Sequence, residues 1–415
     1  MARFLAYTSP ARGHLYPVMP TLLELQDRGH DVHVRTLAAA VGAVRDVGVA
    51  AERIAPGIED LPLEDWKATS QEQALEMGLR TFASRSPIEI DDLERAIEEV
   101  DPDLLLVDVT TVGAAALAES SGLTWAQWVP FFHHVLPFTL HAEGLAVLNG
   151  PRQAVGLEPV GQEEVWRAPL HIYFTAPPLQ PSDVRSPASF RSVGPGLWEP
   201  PATLPAWLEE LRDPLILVTV SSEFQRDDAL VRNVLEAMEG ENASVVVTTA
   251  AQDPGWFRPP PHTHVTRWLP HGPLVRRAAC VVCHGGMGIT QKALAAGVPV
   301  CVVPFGRDQS EVAAQVVRVG AGTSVPSDDL DPHSLRRAID AAISMRGTAQ
   351  TVAEGLASAG GAVAAADLLE TLLLDRSSGD ERKGEGLGIF GIRASASAGK
   401  DRRRPSRDGV LLERG

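Results

Sequence analysis

The sequence predicts an α/β protein with two domains, each a doubly wound parallel sheet flanked by helices. The chain has 415 residues, which is long for a single hydrophobic core. Short apolar runs alternate with helical stretches in both halves, as in parallel βαβ units. A proline-rich segment, residues 178–208, has the composition of a linker and lies between the halves. We therefore predict an N-terminal domain over residues 1–177 and a C-terminal domain over residues 209–374.

The first domain places polar residues at the ends of predicted strands. The strands are expected over residues 4–7, 32–36, 49–54, 104–108 and 125–129. Pro17 is expected to begin the first helix, because proline suits the first helical position. His14 follows the first strand and Asp108 ends the fourth, and open α/β sheets bind ligands at such carboxyl ends. His14 could instead be a loop histidine without a role. Asp108 could cap the following helix at Thr110 or Thr111.

The second domain contains the most informative stretch of the chain. An apolar strand over residues 278–283 leads into the sequence HGGMG at residues 284–288, then into a helix and a second strand that ends at Val303. The glycines let the backbone approach a ligand closely, and the free amides of the helix start favour a diphosphate. Asp308 and Gln309 follow the second strand, where they suit a polyhydroxylated group such as a sugar.

Several motifs of this second half occur together in one known family. They are the HGGMG loop, Ala293-Leu294, Gly297-Val298-Pro299, Pro304, Asp308-Gln309 and Gly320-Ala321-Gly322. In this combination they resemble the donor-binding signature of family 1 glycosyltransferases with the GT-B fold, and most of all the bacterial branch that decorates macrolides, enediynes and other natural products. The resemblance covers about residues 2–374. It implies two facing Rossmann-like domains with an active-site cleft between them, and a last helix that crosses back onto the first domain.

The resemblance also implies an activity. A family member would transfer a sugar, which could be a deoxysugar, from a UDP- or dTDP-sugar to a hydroxyl of a lipophilic acceptor such as a polyketide, with inversion at the anomeric carbon. Beyond this nucleotide-sugar co-substrate it would need no cofactor and no metal ion. The alternative is a catalytically silent homologue that binds a nucleotide sugar or supports a partner enzyme, and the presence of His14, Asp108 and His284 counts against it.

Individual roles follow from the same resemblance. His14 is the general base, a task that suits a pKa near neutrality, and Asp108 orients its imidazole. The other assignments are the donor diphosphate for Ser221, Ser222, His284, Gly285, Gly286, Met287 and Gly288, the nucleobase for Trp268 and Leu269, the donor sugar for Asp308 and Gln309, and the acceptor pocket for Phe131, Phe132 and His134. Simpler interpretations stay open for several of them. The serines could cap a helix, and Trp268 and the aromatic segment over residues 130–141 could belong to the core.

The sequence departs from the family pattern at two positions. Ile289 stands where many members carry a threonine or serine, and Thr290 is the neighbouring hydroxyl that could replace it. Lys292 stands where many members carry an acid that binds the ribose hydroxyls, and a lysine cannot accept those hydrogen bonds. We therefore expect relaxed recognition of the ribose, which would suit a dTDP-linked deoxysugar as well as a UDP-sugar.

All three cysteines lie in one βαβ unit. Their odd number argues against a disulfide framework and for a reducing cytosol, so we expect a cytoplasmic protein. Residues 280–284 also match CxxCH, the attachment pattern of c-type haem, which keeps a haem electron carrier as a third hypothesis. Two cysteines three apart in a strand point to opposite faces and cannot hold one haem edge, so we interpret Cys280 and Cys283 as core residues.

The charge distribution limits the partners. The whole chain has a net charge of −16, but residues 376–415 hold ten Lys and Arg against six Asp and Glu, which leaves residues 1–375 at −20. Such an acidic body does not favour nucleic acid. We expect a nucleotide-sugar donor and a hydrophobic small-molecule acceptor as partners, no membrane span, and a homodimer as an assembly that the sequence leaves open. The segment over residues 375–415 has the composition of a disordered tail.

Overall fold

The first sheet holds seven parallel strands in the order β3-β2-β1-β4-β5-β6-β7. The strands are β1 (Arg3–Tyr7), β2 (Asp31–Thr36), β3 (Ala50–Arg53), β4 (Leu104–Asp108), β5 (Thr124–Val129), β6 (His171–Tyr173) and β7 (Phe190–Ser192). β1 pairs with both β2 and β4, so the strand order reverses beside β1. In an open parallel sheet, this reversal creates a crevice at the carboxyl ends of β1 and β4.

The computed structural model describes residues 1–135, 142–181 and 184–384. Residues 136–141 of the predicted aromatic segment lie outside this part of the chain, and so does the predicted tail from residue 385 onward. Residues 1–374 form one compact unit.

Helices cover both faces of the first sheet. They are α1 (Arg12–Asp27), α2 (Ala38–Asp46), α3 (Pro56–Glu59), α4 (Gln71–Val100), α5 (Val112–Ser120) and α6 (Ala142–Ala154). α4 starts after Ser70, whose side chain accepts a hydrogen bond from the Gln73 amide at 3.1 Å, and it ends at Asp101 in the left-handed conformation. Every residue of β4 is buried, as a strand covered on both faces requires.

The second sheet holds six parallel strands in the order β10-β9-β8-β11-β12-β13. They are β8 (Leu215–Thr219), β9 (Ser244–Thr248), β10 (Thr263–Thr266), β11 (Ala278–Cys283), β12 (Val300–Val302) and β13 (Gly322–Ser324). The helices of this half are α7 (Asp228–Ala237), α8 (His271–Arg277), α9 (Met287–Ala295), α10 (Gln309–Arg318), α11 (Pro332–Ser344), α12 (Arg346–Ala357) and α13 (Gly361–Gly384). Its order matches that of the first sheet around β1, so the chain builds two doubly wound sheets.

The first helix begins at Arg12, which corrects the predicted start at Pro17. A proline in a helix interior removes one backbone hydrogen bond, so local preference alone favours the later start. Tertiary contacts hold the extra turn. Leu15 is fully buried in the core, and the indole Nε1 of Trp128 donates to the carbonyl of His14 at 3.1 Å. His14 therefore lies in the first turn of a helix and not in a loop.

Two short strands of the first sheet were missing from the prediction. β6 and β7 have three residues each, too few to show a periodic pattern. β7 lies inside the segment predicted as a linker, because that segment contributes the last strand of the first sheet before it crosses to the second domain.

The last helix, α13, returns to the first domain. Leu369 is fully buried in one core cluster with Phe4 and Leu15. On the helix surface, Arg28 donates to Asp367 at 2.7 Å and to Glu370 at 2.6 Å. The apolar contact is the larger stabilising term, since exposed ion pairs contribute little.

One helical stretch, Arg346–Asp375, is apolar enough by length and composition to cross a membrane, with a mean hydropathy of 1.4. Some of its side chains pack inside the protein. Val352 and Leu356 pack into the core of the second domain, and Ala365 packs into that of the first. A buried core helix passes the same compositional test, so this stretch is weak support for a membrane span.

Candidate active site

His14 and Asp108 meet at the crevice between β1 and β4. Nδ1 of His14 lies 2.9 Å from Oδ2 and 3.1 Å from Oδ1 of Asp108. The first turn of α1 carries the histidine, and the aspartate is the last residue of β4. Because Asp108 engages Nδ1, Nε2 is the ring nitrogen that can accept a proton from another molecule.

The carboxylate of Asp108 is fully buried and fixed by other donors. It accepts hydrogen bonds from the amide of Ser9 at 3.1 Å, from the amide of Thr110 at 2.9 Å and from the hydroxyl of Thr110 at 2.9 Å. The two interpretations of Asp108 are therefore compatible. The same carboxylate holds the turn before α5 and orients the imidazole of His14.

The electrostatics of this pair suit a proton acceptor. Burial opposes a charge on His14, but the carboxylate of Asp108 outweighs burial and raises the pKa of His14, with smaller contributions from Glu223 and Asp308. Burial alone would raise the pKa of Asp108, whereas the neighbouring imidazole and backbone hydrogen bonds lower it below its usual value. An ionised carboxylate thus stabilises the imidazolium that forms when His14 takes up a proton.

The HGGMG loop joins β11 to α9 in a conformation that needs its glycines. Gly285 has a φ of +95°, and a Cβ there would lie 2.9 Å from Cγ1 of Val302. A Cβ on Gly286 would lie 2.5 Å from Nε2 of His284, so the imidazole packs directly over this glycine. The first amides of α9, which starts at Met287, point out of the helix and suit an anion.

His284 is neutral in this environment. Burial, together with the charge of nearby Arg307, lowers the pKa of His284 to about 4, although a backbone hydrogen bond at Thr219 opposes the shift. Within the described part of the chain, its Nδ1 is buried without a hydrogen-bond partner. A neutral imidazole can donate one hydrogen bond to a phosphate oxygen but adds no positive charge.

The whole chain matches known proteins. Residues 232–369 match the C-terminal domain of erythromycin biosynthesis protein CIII-like proteins. The 4'-demethylrebeccamycin synthase of Lentzea aerocolonigenes is 28% identical over 90% of this chain and 100% of its own length. The calicheamicin glycosyltransferase CalG4 superposes with a TM-score of 0.74 at 23% identity, over 90% of this chain and 98% of CalG4. The chain is a glycosyltransferase with the GT-B fold, similar to enzymes of antibiotic pathways. The predicted fold and enzyme class are confirmed, and the matches agree with the predicted family.

One further solved structure that is similar to this chain is a complex with a nucleotide. The spinosyn rhamnosyltransferase SpnG complexed with thymidine diphosphate superposes with a TM-score of 0.71 at 20% identity, over 89% of this chain and 100% of SpnG. At this identity the likeness shows the fold.

The two serines predicted for the diphosphate differ in access. Ser221 is buried, and its hydroxyl accepts from Nε2 of Gln225 at 3.0 Å. Ser222 is exposed. Neither serine caps a helix, because α7 begins only at Asp228. In this glycosyltransferase, Ser222 is thus the hydroxyl that a diphosphate can reach without breaking an internal contact.

Asp308 and Gln309 also differ. Gln309 is buried, accepts from the amide of Phe305 at 2.8 Å and donates to Oε1 of Gln225 at 2.6 Å. It therefore ties the loop after β12 to the loop after β8. Asp308 is half-buried, and burial raises its pKa while Arg307 opposes this rise. Its carboxylate is the freer group for a sugar hydroxyl.

Trp268 is 40% exposed, so the core interpretation of this indole is wrong. An indole face open to solvent suits stacking on a nucleobase. The side chain of Leu269 is buried, which leaves only its backbone for such a ligand.

The residues of the aromatic segment lie partly at the candidate active site and partly in the hydrophobic core. The ring of Phe131 lies 5.6 Å from that of His14, beside the base. Phe132 is 1% exposed and packs in the core, which corrects its assignment to the acceptor pocket. His134 forms a contact of 3.4 Å with Glu311 of the second domain.

The structure also shows the contacts made at the two positions that depart from the family pattern. Thr290 is buried with its hydroxyl 3.7 Å from Sγ of Cys283, so it cannot replace the missing phosphate-binding hydroxyl at Ile289. Nζ of Lys292 lies 2.6 Å from Oε2 of Glu199, a residue of the linker. The same carboxylate accepts from the amides of His271 and Gly272, both at 2.8 Å.

The CxxCH pattern has a structural explanation. Cys280 and Cys283 are both fully buried in β11 and belong to core clusters on opposite faces of the sheet. They cannot hold one haem edge.

Sequence reasoning did not find four residues that shape this site: Trp128, Glu199, Asp65 and Arg307. Each acts through a partner far away in the sequence, and no local pattern marks such pairs. The tryptophan at the end of β5 was the one visible signal, because a buried indole N–H requires an acceptor.

Proposed function

We propose that this glycosyltransferase moves a sugar from a UDP- or dTDP-sugar to a hydroxyl of a lipophilic natural product, with inversion at the anomeric carbon. The observation that carries the proposal is the His14–Asp108 dyad at the crevice of the first sheet, which leaves Nε2 of the histidine available as a base. The comparisons favour the same chemistry, since relatives of similar length are named for glycoside-forming steps.

The proposed step uses the dyad directly. Nε2 of His14 takes the proton of the acceptor hydroxyl while its oxygen forms a bond to the anomeric carbon. The bond from that carbon to the diphosphate oxygen breaks, and the nucleoside diphosphate leaves with the electron pair. Attack from the face opposite the diphosphate inverts the configuration. Asp108 stabilises the imidazolium that results.

The leaving diphosphate is proposed to lie against the HGGMG loop. The loop amides, the start of α9 and the neutral ring of His284 supply hydrogen bonds that strengthen as charge develops. No group of three His, Cys, Asp or Glu side chains within the described ranges is arranged to hold a metal ion. Transfer without a metal ion stays a prediction.

The environment of Lys292 bears on which donor nucleotide the enzyme accepts. Its ammonium is paired with Glu199 and cannot accept hydrogen bonds from ribose hydroxyls, so we propose tolerance of a 2′-deoxyribose. SpnG, which shares the fold, is known in complex with thymidine diphosphate. Calorimetry with UDP, dUDP and dTDP tests this point. We expect affinities within about threefold of one another, and a strong preference for UDP would contradict it.

The acceptor is proposed to be apolar, because the ring of Phe131 lies beside that of His14. The test of the whole function is incubation with UDP- and dTDP-sugars and a panel of polyketides and other lipophilic secondary metabolites, followed by mass spectrometry. We expect a mass increase equal to one glycosyl residue in at least one pair. Nucleotide binding without any turnover would instead favour the silent homologue.

A cytoplasmic location remains a prediction that the three free, buried thiols support.

A further inference from the structure

One arginine joins the two domains at the mouth of the cleft. Nε and Nη2 of Arg307 lie 2.8 Å from Oδ2 and Oδ1 of Asp65, a two-pronged contact between the second and the first domain. Nη1 of the same guanidinium lies 3.0 Å from Oε2 of Glu223. We call Asp65, Glu223 and Arg307 the clasp. It connects the segment before α4 to the loops after β8 and β12.

An aromatic contact follows the same path. The ring of Trp66 meets that of Phe224 edge-on at 4.9 Å, and the guanidinium of Arg226 lies 4.9 Å from the ring of Trp66. Residues 65 and 66 thus engage residues 224, 226 and 307 of the second domain, and Arg307 also holds Glu223. An isolated surface ion pair would not be accompanied by contacts between the residues that flank it on both domains.

The geometry of the clasp distinguishes it from an ordinary surface salt bridge. The side chain of Asp65 is 13% exposed and that of Arg307 is 25% exposed. A planar guanidinium that meets a carboxylate with two parallel hydrogen bonds forms one of the stronger and most directional charged pairs. Partial burial also limits screening by salt.

The clasp lies next to the residues that are proposed to act on the substrates. Arg307 has a φ of +55°, a left-handed backbone that a side chain other than glycine adopts only when its surroundings hold it. The next residue is Asp308, the predicted sugar ligand, whose carboxylate contributes to the charge environment of His14. Gln309 holds the same loop from inside through Gln225.

We propose that Asp65 and Arg307 are positioning residues for glycosyl transfer, which fix the loop carrying Asp308 against His14 by clasping the acceptor domain to the donor domain. This inference rests on the proposed function. Neither side chain needs to touch the substrate. Without the clasp, this side of the cleft loses the contact that fixes the sugar-binding loop against the base, and water gains access to the donor.

The test compares Asp65→Asn with the wild-type full-length chain. The amide keeps the shape of the side chain but removes its charge, so we expect kcat/KM for transfer to fall about tenfold. Hydrolysis of the donor should rise relative to transfer. The apparent pKa of the base should fall, because Glu223 and Asp308 would move away while Asp108, which stays on the same domain, would not. Asp65→Glu, which keeps a carboxylate, should restore part of the loss.

Asp340→Asn is the matched control, since Asp340 pairs with Arg336 at 3.0 Å within α11, away from the cleft. It should behave as wild type. Arg307→Lys is the second variant, because it keeps the charge and loses the two-pronged contact. If Asp65→Asn and Arg307→Lys melt like wild type and also match its transfer rate, hydrolysis ratio and pH profile, the proposal is overturned.

A measurement without turnover separates this inference from the proposed function. Small-angle scattering should give Asp65→Asn a larger radius of gyration than wild type and Asp340→Asn. Equal radii would overturn the clasp whatever the activity. An inactive wild type combined with a larger radius for the variant would overturn the proposed function and leave the clasp standing.

Discussion

At the scale of single residues, the neighbours of His14 suit it to the proposed role of base. Its ring is engaged at one nitrogen by a buried carboxylate, and that carboxylate is itself held by Ser9 and Thr110. The rotamer, the tautomer and the charge of the imidazolium are thus fixed by the same contact. A histidine at the same position of α1 without Asp108 would have none of these constraints.

The pH profile should report this pair. The base acts in its neutral form, so kcat/KM should rise with pH through the raised pKa of His14 and level off above it. In Asp108→Asn the attraction is lost while burial remains, and burial lowers the pKa of a histidine. The acid limb should therefore move to lower pH, and the plateau should fall about 100-fold or more. An acid limb that does not move would show that another group controls the profile.

Strand ends predicted that His14 and Asp108 lie at one edge of the sheet, and the family resemblance supplied their roles. His14 follows β1 and Asp108 ends β4, and neighbouring parallel strands present their carboxyl ends together. Phe132 was misassigned because an aromatic segment without a helical period does not reveal which ring faces inward. The Lys292–Glu199 and Arg307–Asp65 pairs could not be predicted, since each joins residues of different domains or of a domain and the linker.

At the scale of elements, the turn from β11 into α9 is fixed by backbone space. Gly286 leaves room for the imidazole of His284, which a methyl group would displace. We expect Gly286→Ala to weaken nucleoside diphosphate binding about tenfold or more by calorimetry, because both the ring and the first amides of α9 would shift.

Gly347→Ala is the control for this substitution. Gly347 lies in α12 with nothing within 4 Å of an added Cβ, so alanine there should leave binding unchanged and stabilise the helix slightly. If Gly286→Ala bound the nucleotide as tightly as Gly347→Ala, the loop would not cradle the diphosphate.

The strand–glycine loop–helix–strand unit was predictable because its apolar runs, its glycines and its helix formers all agree. The start of α1 was not. Proline preference pointed to Pro17, and burial of Leu15 together with the contact of Trp128 overrode it. Local helix propensity does not predict the end of a helix when tertiary contacts near the candidate active site determine where the helix begins.

At the scale of the molecule, α13 joins the C-terminal end of the chain to the first sheet. We expect Leu369→Ala to reduce the free energy of unfolding by about 3 kcal/mol, since the side chain is fully buried among Phe4 and Leu15. Val363→Ala on the same helix is the control. Val363 is 51% exposed, and its truncation should change stability by less than about 0.5 kcal/mol in denaturant titrations. Equal effects would mean that α13 is not anchored through this core.

The two-domain architecture was predictable from length, the alternation of elements and the proline-rich segment. The way the domains face each other was not, because it depends on contacts such as the clasp and the return of α13, which are invisible to periodicity. The family resemblance supplied that part of the prediction.

The most direct test of the account compares wild type with His14→Ala for turnover of UDP- and dTDP-sugars, with nucleotide affinity measured in both. We predict that turnover vanishes in the variant while the nucleotide still binds within about threefold of wild type, since the base and the donor loop lie on different domains. Turnover that survives in His14→Ala at a rate near wild type would contradict the assignment of His14 as the base and, with it, the proposed mechanism.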